Sequence, residues 1–408
     1  MITRLSLALM LVTAAACERG RLPSATPQEP ATPEQDGVRL APSVELPCSL
    51  EGGNSWVVDT VLRTAEPQPM RFASGDESAT LVLGLGKEER WIEIDIGKTS
   101  RPQFGTGGSI GASRLAERGP LDFALADRWM YATSTWPDDS VIGVLLGDLR
   151  DAGFISLIDN HVGNVTPEVA IAPGHDGEWA VAWLRDSGIL KWALHLALVR
   201  PDGSVRVERT LVEHLDDPKF ALVRTPTGYA LLCIRRHTRG RSALVATLMD
   251  DDGSPRKEVV LTTELTDRPR AVVDDRGIHV AFVLEHRKLG FTAIDFDGAL
   301  LTPPVVVWQE RLTESLATGD LFVHHGYAWL VGVSGDCSID GLCSDRAQVF
   351  VLAISSEGRA SRAIELDHGE DFSYDVAMGR IGEDLVVSWY PDADYPPPLR
   401  IATLRCRK

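Results

Sequence analysis

The chain has 408 residues, 44% apolar and 24% charged, enough to bury a large core either as two domains or as one large all-β domain. Its formal net charge of −17 argues against a nucleic-acid or anionic-lipid surface as partner, since either would be repelled. No run beyond the N-terminus is long and apolar enough for a transmembrane helix.

Met1–Arg4 carry one positive charge, Leu5–Val12 form a mainly apolar run, and Ala14, Ala15 and Ala16 precede Cys17. That order is a secretory signal over 1–16, and the apolar run is too short to span a bilayer. The stretch resembles the signal of bacterial lipoproteins, in which a cysteine after small residues receives diacylglycerol and becomes the mature N-terminus. The resemblance implies lipidation at Cys17 and a cell-envelope location, with a lipid as the membrane anchor. Ala14 departs from the leucine usual in that family's box, and Ala14-x-Ala16 also suits an ordinary signal peptidase, so secretion or a periplasmic location is the alternative. Glu18 is not the aspartate that retains enteric lipoproteins at the inner membrane, which points to the outer membrane.

Residues 17–47 hold Pro23, Pro27, Pro30, Pro33, Pro42 and Pro47 among Ser, Thr, Gln and Glu. Such a composition cannot bury enough apolar surface to offset its ordering entropy and reads as a disordered, lipid-attached linker. As a flexible chain it reaches on the order of 30 Å. Residues 48–408 then form a single domain.

That domain repeats about every fifty residues. Gly177, Gly228, Gly277 and Gly326 each precede an apolar run, Trp129 lies fifty residues before Trp179, and Gly382 continues the series. Asp202-Gly203, Asp252-Gly253, Asp297-Gly298 and Glu357-Gly358 follow the same beat. An acidic residue before glycine between two strand-like runs is a hairpin turn, because the turn needs positive φ. Pro167, Pro218 and Pro269 each open a strand-like segment where a missing N–H is tolerated.

Trp179–Trp183 and Leu194–Val199 are apolar on nearly both faces, whereas Val205–Leu211 alternates like a strand near a rim. Four strands per unit, covered inside and half-exposed outside, describe a β-propeller blade. Dividing the span from Trp56 to Cys406 by the repeat gives seven blades, with cores near 68–97, 121–158, 167–212, 218–262, 269–308, 319–366 and 372–406. Six or eight blades, or tandem β-sandwich domains, are the alternatives. Neither the Gly-His and Trp-Asp signature of WD40 repeats nor the Ser-x-Asp-x-Gly-x-x-Trp box of sialidases occurs. The seventh unit is one strand short, and the β-rich run Trp56–Leu62 is free to supply it.

Besides Cys17 there are five cysteines. If the chain ends meet in one blade, Cys48 and Cys406 are placed to form a disulfide, the alternatives being two free thiols or a pairing with Cys233. Cys233, inside an apolar run, reads as a buried thiol. Cys337 and Cys343 flank an insertion in the sixth repeat and read as a local disulfide. No second pair of Cys or His stands at ligand spacing, so no metal is assigned. Asp336, Asp340 and Asp345 do not follow the EF-hand alternation.

Gly107-Gly108-Ser109-Ile110-Gly111 matches the nucleophile-elbow pattern, but the stretch from Ala112 to Pro120 is too short for the helix that would aim Ser109, so it reads as a loop. No catalytic residue and no cofactor are assigned. The candidate binding residues lie in connections entering innermost strands: His161, then His214, Asp216 and Asp217, then His368 and Asp371. In a ring these converge on one channel mouth, where a cation or polyol could sit. The expectation is a binding or scaffold module for a protein or glycan partner. The alternative is a polysaccharide-acting enzyme with Asp217 and Asp371 as paired carboxylates.

Overall fold

The computed structural model describes residues 44–45, 47–50, 53, 55–58, 70–85, 90–97, 102–104, 122–126, 129–135, 142–148, 153–156, 165–188, 191–215, 217, 219–236, 242–264, 266–309, 315–337, 343–369, 372–391 and 399–406. Among them there is no helix, and none therefore crosses a membrane as one. The strands are β1 (Cys48–Ser49) and β2 (Ser55–Val58), followed by up-and-down meanders of four. The first comprises β3 (Met70–Ala73), β4 (Ser78–Leu85), β5 (Arg90–Gly97) and β6 (Gln103–Phe104). The second comprises β7 (Asp122–Ala126), β8 (Trp129–Thr135), β9 (Ile142–Asp148) and β10 (Gly153–Ser156). The third comprises β11 (Val165–Pro173), β12 (Trp179–Gly188), β13 (Lys191–Val199) and β14 (Val205–Leu215).

The fourth comprises β15 (Phe220–Thr225), β16 (Gly228–Arg236), β17 (Ser242–Asp250) and β18 (Pro255–Thr262). The fifth comprises β19 (Thr266–Val273), β20 (Ile278–Leu284), β21 (Lys288–Ile294) and β22 (Leu300–Gln309). The sixth comprises β23 (Ser315–His324), β24 (Tyr327–Cys337), β25 (Cys343–Ile354) and β26 (Ile364–Gly369). The seventh has β27 (Phe372–Ile381), β28 (Asp384–Pro391) and β29 (Leu399–Cys406) and takes β1 and β2 onto β29 as its outer edge.

The pattern of exposure follows the sequence. Every residue of β20 is buried, and so is β17 from Ala243 to Met249, while β18 is exposed along most of its length. Prolines sit where a missing donor does least harm. Pro255 opens an outer strand, Pro303 and Pro304 lie in the outer strand β22, and Pro167 and Pro269 fall within register shifts of β11 and β19.

The acidic-glycine turns share one geometry. The Gly203, Gly253, Gly298 and Gly358 amides donate to the carbonyls of Arg200, Asp250, Asp295 and Ser355, all four with φ between 74° and 83°. A type I turn closed by a left-handed residue needs glycine at that last place.

Consecutive meanders pack face to face, so the core lies between them. One cluster joins Leu194, Leu196 and Leu198 to Leu231 and Cys233, and another joins Phe291 and Leu289 to Leu330 and Phe350. The first strands touch in cyclic order, β3 against β7, then β11, β15, β19, β23 and β27, and β27 returns to β3. At that return the Gly382 amide donates to the Gly75 carbonyl over 2.8 Å, and Ile381 bridges Gly75 in parallel. This is the architecture of a β-propeller.

The two ends of the domain meet as the sequence implies. β2 pairs with β29 from Ser55 opposite Ala402 to Val58 opposite Leu399, and Cys48 stands opposite Cys406 in a disulfide with Cα atoms 3.9 Å apart. Residues 59–62 of the expected strand lie outside the described residues. The N-terminal segment also bridges two meanders, because the Val44 amide donates to the Ala360 carbonyl of the sixth before Cys48 reaches the seventh. Cys233 is a buried free thiol, which burial pushes up to about 12. Cys337 and Cys343 are opposite one another in the β24–β25 ladder, and the connection 338–342 lies outside the described residues.

Candidate functional site

In a four-stranded meander the turns between first and second and between third and fourth strands lie at one end. The second-to-third hairpins and the links to the next meander lie at the other. The candidate residues His161, His214, Asp216, Asp217, His368 and Asp371 are expected at that second end. His161, Asp216 and Asp371 lie outside the described residues, as does Ser109. His214 is the penultimate residue of β14, and His368 is opposite Gln348 in the β25–β26 ladder.

Asp217 has a described side chain, and it is engaged locally. Its carboxylate accepts the Lys219 amide over 2.9 Å, capping the entry to β15. Its neighbour in the other motif, Asp367, is also committed, accepting the Trp389 indole N–H over 2.9 Å and the Arg400 guanidinium. Asp367 is on the sixth meander and the other two on the seventh, so that carboxylate ties blades together. Among the described residues no group of three or more His, Cys, Asp or Glu is placed to hold a metal ion.

One feature of this end escapes a reading of sequence. The β20–β21 hairpin turns through Glu285 and His286, with φ 50° and 60°, where Asn-Gly would be ordinary. The Arg287 amide closes the turn on the Leu284 carbonyl over 3.0 Å. The Leu316 amide of the next meander holds the His286 carbonyl over 2.8 Å. Left-handed side-chain-bearing residues cost roughly 1–2 kcal/mol each, and the neighbouring strand supplies the hold. The result is a fixed turn displaying exposed Glu285, His286 and Arg287, with Lys288 2.8 Å from the Glu285 carboxylate. That contact takes Glu285 below the usual carboxylate range.

The other end is built for cohesion. Outer-strand cations reach the carbonyls of the following meander's acidic-glycine turn: Arg206 and Arg209 to Asp251 and Asp252, then Arg256 and Lys257 to Phe296 and Asp297. Arg206 also clasps Glu178 through three bonds of 2.7–3.0 Å, which raises the guanidinium's already high value. These cations sit two to five residues after the Gly203-Ser204 and Gly253-Ser254 steps. The sequence reads them only as the solvent side of an alternating strand.

A scan against protein-family models matches none, and no curated protein matches the sequence. Among solved structures the chain is similar to one from the core factor of S. cerevisiae, at 10% identity and TM-score 0.51, over 90% of this chain and 62% of that one. It is also similar to the sialidase of Trypanosoma rangeli, determined in complex with sialic acid (11%, TM-score 0.45, 86% and 58%), and to prolyl oligopeptidase B from Galerina marginata (8%, TM-score 0.48, 82% and 49%). The chain thus spans between about half and three fifths of these proteins. At such identities the likeness is one of fold.

Proposed function

We propose that this protein is an exported, lipid-anchored β-propeller of seven blades that serves as a binding or scaffold module for a protein or glycan partner in the cell envelope. The observation that carries this reading is the buried Cys48–Cys406 bridge between the two ends of the domain. Disulfides of this kind persist in oxidising compartments, in keeping with the signal-like first sixteen residues and a lipid on Cys17. A closed ring also gathers the second-to-third and inter-blade connections at one end, where a ligand finds convergent loops on a rigid scaffold.

Cys17→Ser tests the anchor, because it should move the protein from the membrane to the soluble fraction. That soluble form keeps both Cys48 and Cys406 and can be applied to envelope glycans and extracts. The reading expects saturable binding that weakens when His214 and His368 are replaced by alanine. Membrane retention of the Cys17→Ser form, or no saturable ligand, would contradict it. Polysaccharide cleavage lost on Asp217→Asn or Asp371→Asn would replace binding with catalysis.

A further inference from the structure

Two turns meet at the seam between the sixth and seventh meanders. His324 ends β23, and His325 and Gly326 turn the chain with φ 51° and 75°. The His324 ring is buried, and its Nε2 lies 2.8 Å from the Glu383 backbone carbonyl of the facing turn. A carbonyl only accepts, so Nε2 carries the proton and the neutral ring keeps its lone pair on Nδ1. The His325 ring stands 4.0 Å from that of His324, and its Nε2 is 3.0 Å from the Glu383 carboxylate.

The surroundings leave little to balance a positive charge on His324. From β27, Arg380 donates to the Gly382 carbonyl over 3.3 Å and to the Asp76 carboxylate of the first meander over 3.2 Å. From the fifth meander, Arg276 reaches the Gly326 carbonyl over 3.4 Å. From beneath, the Trp329 indole donates to the His324 carbonyl over 3.2 Å. The groups that face His324 are thus His325, Arg380 and Glu383, and the one carboxylate among them is engaged by His325. Burial, aided by His325 and Arg380, holds His324 below the ordinary imidazole value of 6.5, against the pull of the Glu383 contacts.

We propose that this seam is an acid-sensitive latch, closed by the uncharged His324 and released when His324 takes up a proton. A proton on Nδ1 puts a positive charge on the buried His324 ring, with Arg380 nearby and the facing carboxylate engaged by His325, and a buried charge without its own counter-ion is costly. The direction follows from linkage. The unfolded or released turn binds a proton more readily than the closed one, so closure is undiminished above 6.5 and weakens as the pH falls below it. The Cys48–Cys406 bridge and the core around Trp329 and Val376 do not titrate there, so the change is local to the facing turns.

Hydrogen exchange of the full chain, read by mass spectrometry at about pH 7 and about pH 5 and corrected for intrinsic rates, tests this. Peptides covering 376–389 should lose roughly tenfold in protection, while peptides covering 228–250 keep theirs. His324→Gln keeps a donor for the Glu383 carbonyl without titrating, so its exchange at the seam should not respond to pH. Unchanged protection in the native protein, or the same loss in H324Q, overturns the proposal. Should H324Q fail to fold, the titration of His324 followed by NMR decides: a midpoint below that of free imidazole supports the latch, and one at or above it refutes it.

Discussion

Replacing both Cys48 and Cys406 by alanine removes the bridge while leaving no stray thiol and no buried hydroxyl. The two residues are 358 apart in the chain, and a cross-link closing a loop of that length restricts the unfolded ensemble by about 6 kcal/mol in the chain-entropy model. Measured bridges deliver roughly 2–5 kcal/mol, and a domain's whole stability is only about 5–15 kcal/mol. The four residue pairs between β2 and β29 remain in the variant, so the ring can still close. We therefore expect C48A/C406A to fold but to melt about 3–7 °C below the native protein. Differential scanning calorimetry, with urea titration as a second probe, measures this. A melting temperature within about 2 °C of the native value would show that strand pairing alone closes the ring and would refute the reasoning.

Three further outcomes follow from the geometry. Gly253 has φ 74° and an added Cβ would lie 2.9 Å from Leu196 Cδ2 of the preceding meander, whereas Gly326 has φ 75° with nothing within 4 Å. Both alanine variants should lose roughly 1–2 kcal/mol from backbone strain, and G253A more, by urea denaturation; equal losses would deny the contact between meanders. Arg206→Ala should cost about 1–3 kcal/mol by leaving the largely buried Glu178 carboxylate only the longer contact to Arg200 at 4.0 Å, and Arg206→Lys should recover only part of it. Burial pushes the Asp274 carboxyl up, but the Arg276 and Gly277 amides and the His279 ring 2.9 Å away bring it below 3.8 overall. Its contribution is present above 3.8 and lost as the pH falls through that value and below, so acid should lower the urea midpoint further in the native protein than in D274N.

Much of the fold was legible because blade geometry imposes local demands on the chain. A tight turn with a left-handed last residue leaves an acidic-glycine step at Gly203, Gly253, Gly298 and Gly358, and strands covered on both faces leave runs such as Trp179–Leu184. Gly277 keeps the beat without positive φ, because Asp274 caps its amide over 3.0 Å instead. The meeting of Cys48 with Cys406 followed from counting strands in the seventh unit. What stayed hidden depends on neighbours distant in sequence. Arg206, Arg256 and Lys257 look like ordinary surface charges until the next meander's turn stands beside them. The Glu285-His286 turn has no turn-forming glycine or asparagine to announce it, and its support comes from Leu316 on another blade. His324 and His325 were unremarkable as a pair because their significance lies in Glu383, fifty-nine residues away from His324. Of the candidate mouth residues, Asp217 proved to cap its own strand, a role that spacing alone does not distinguish from ligand binding.

The central claim, a propeller displayed from a membrane by a lipid, rests most directly on the mature N-terminus. Intact-mass measurement of the native protein extracted from membranes should give a chain beginning at Cys17 and carrying acyl groups. A native chain that starts elsewhere and carries no acyl mass would contradict it.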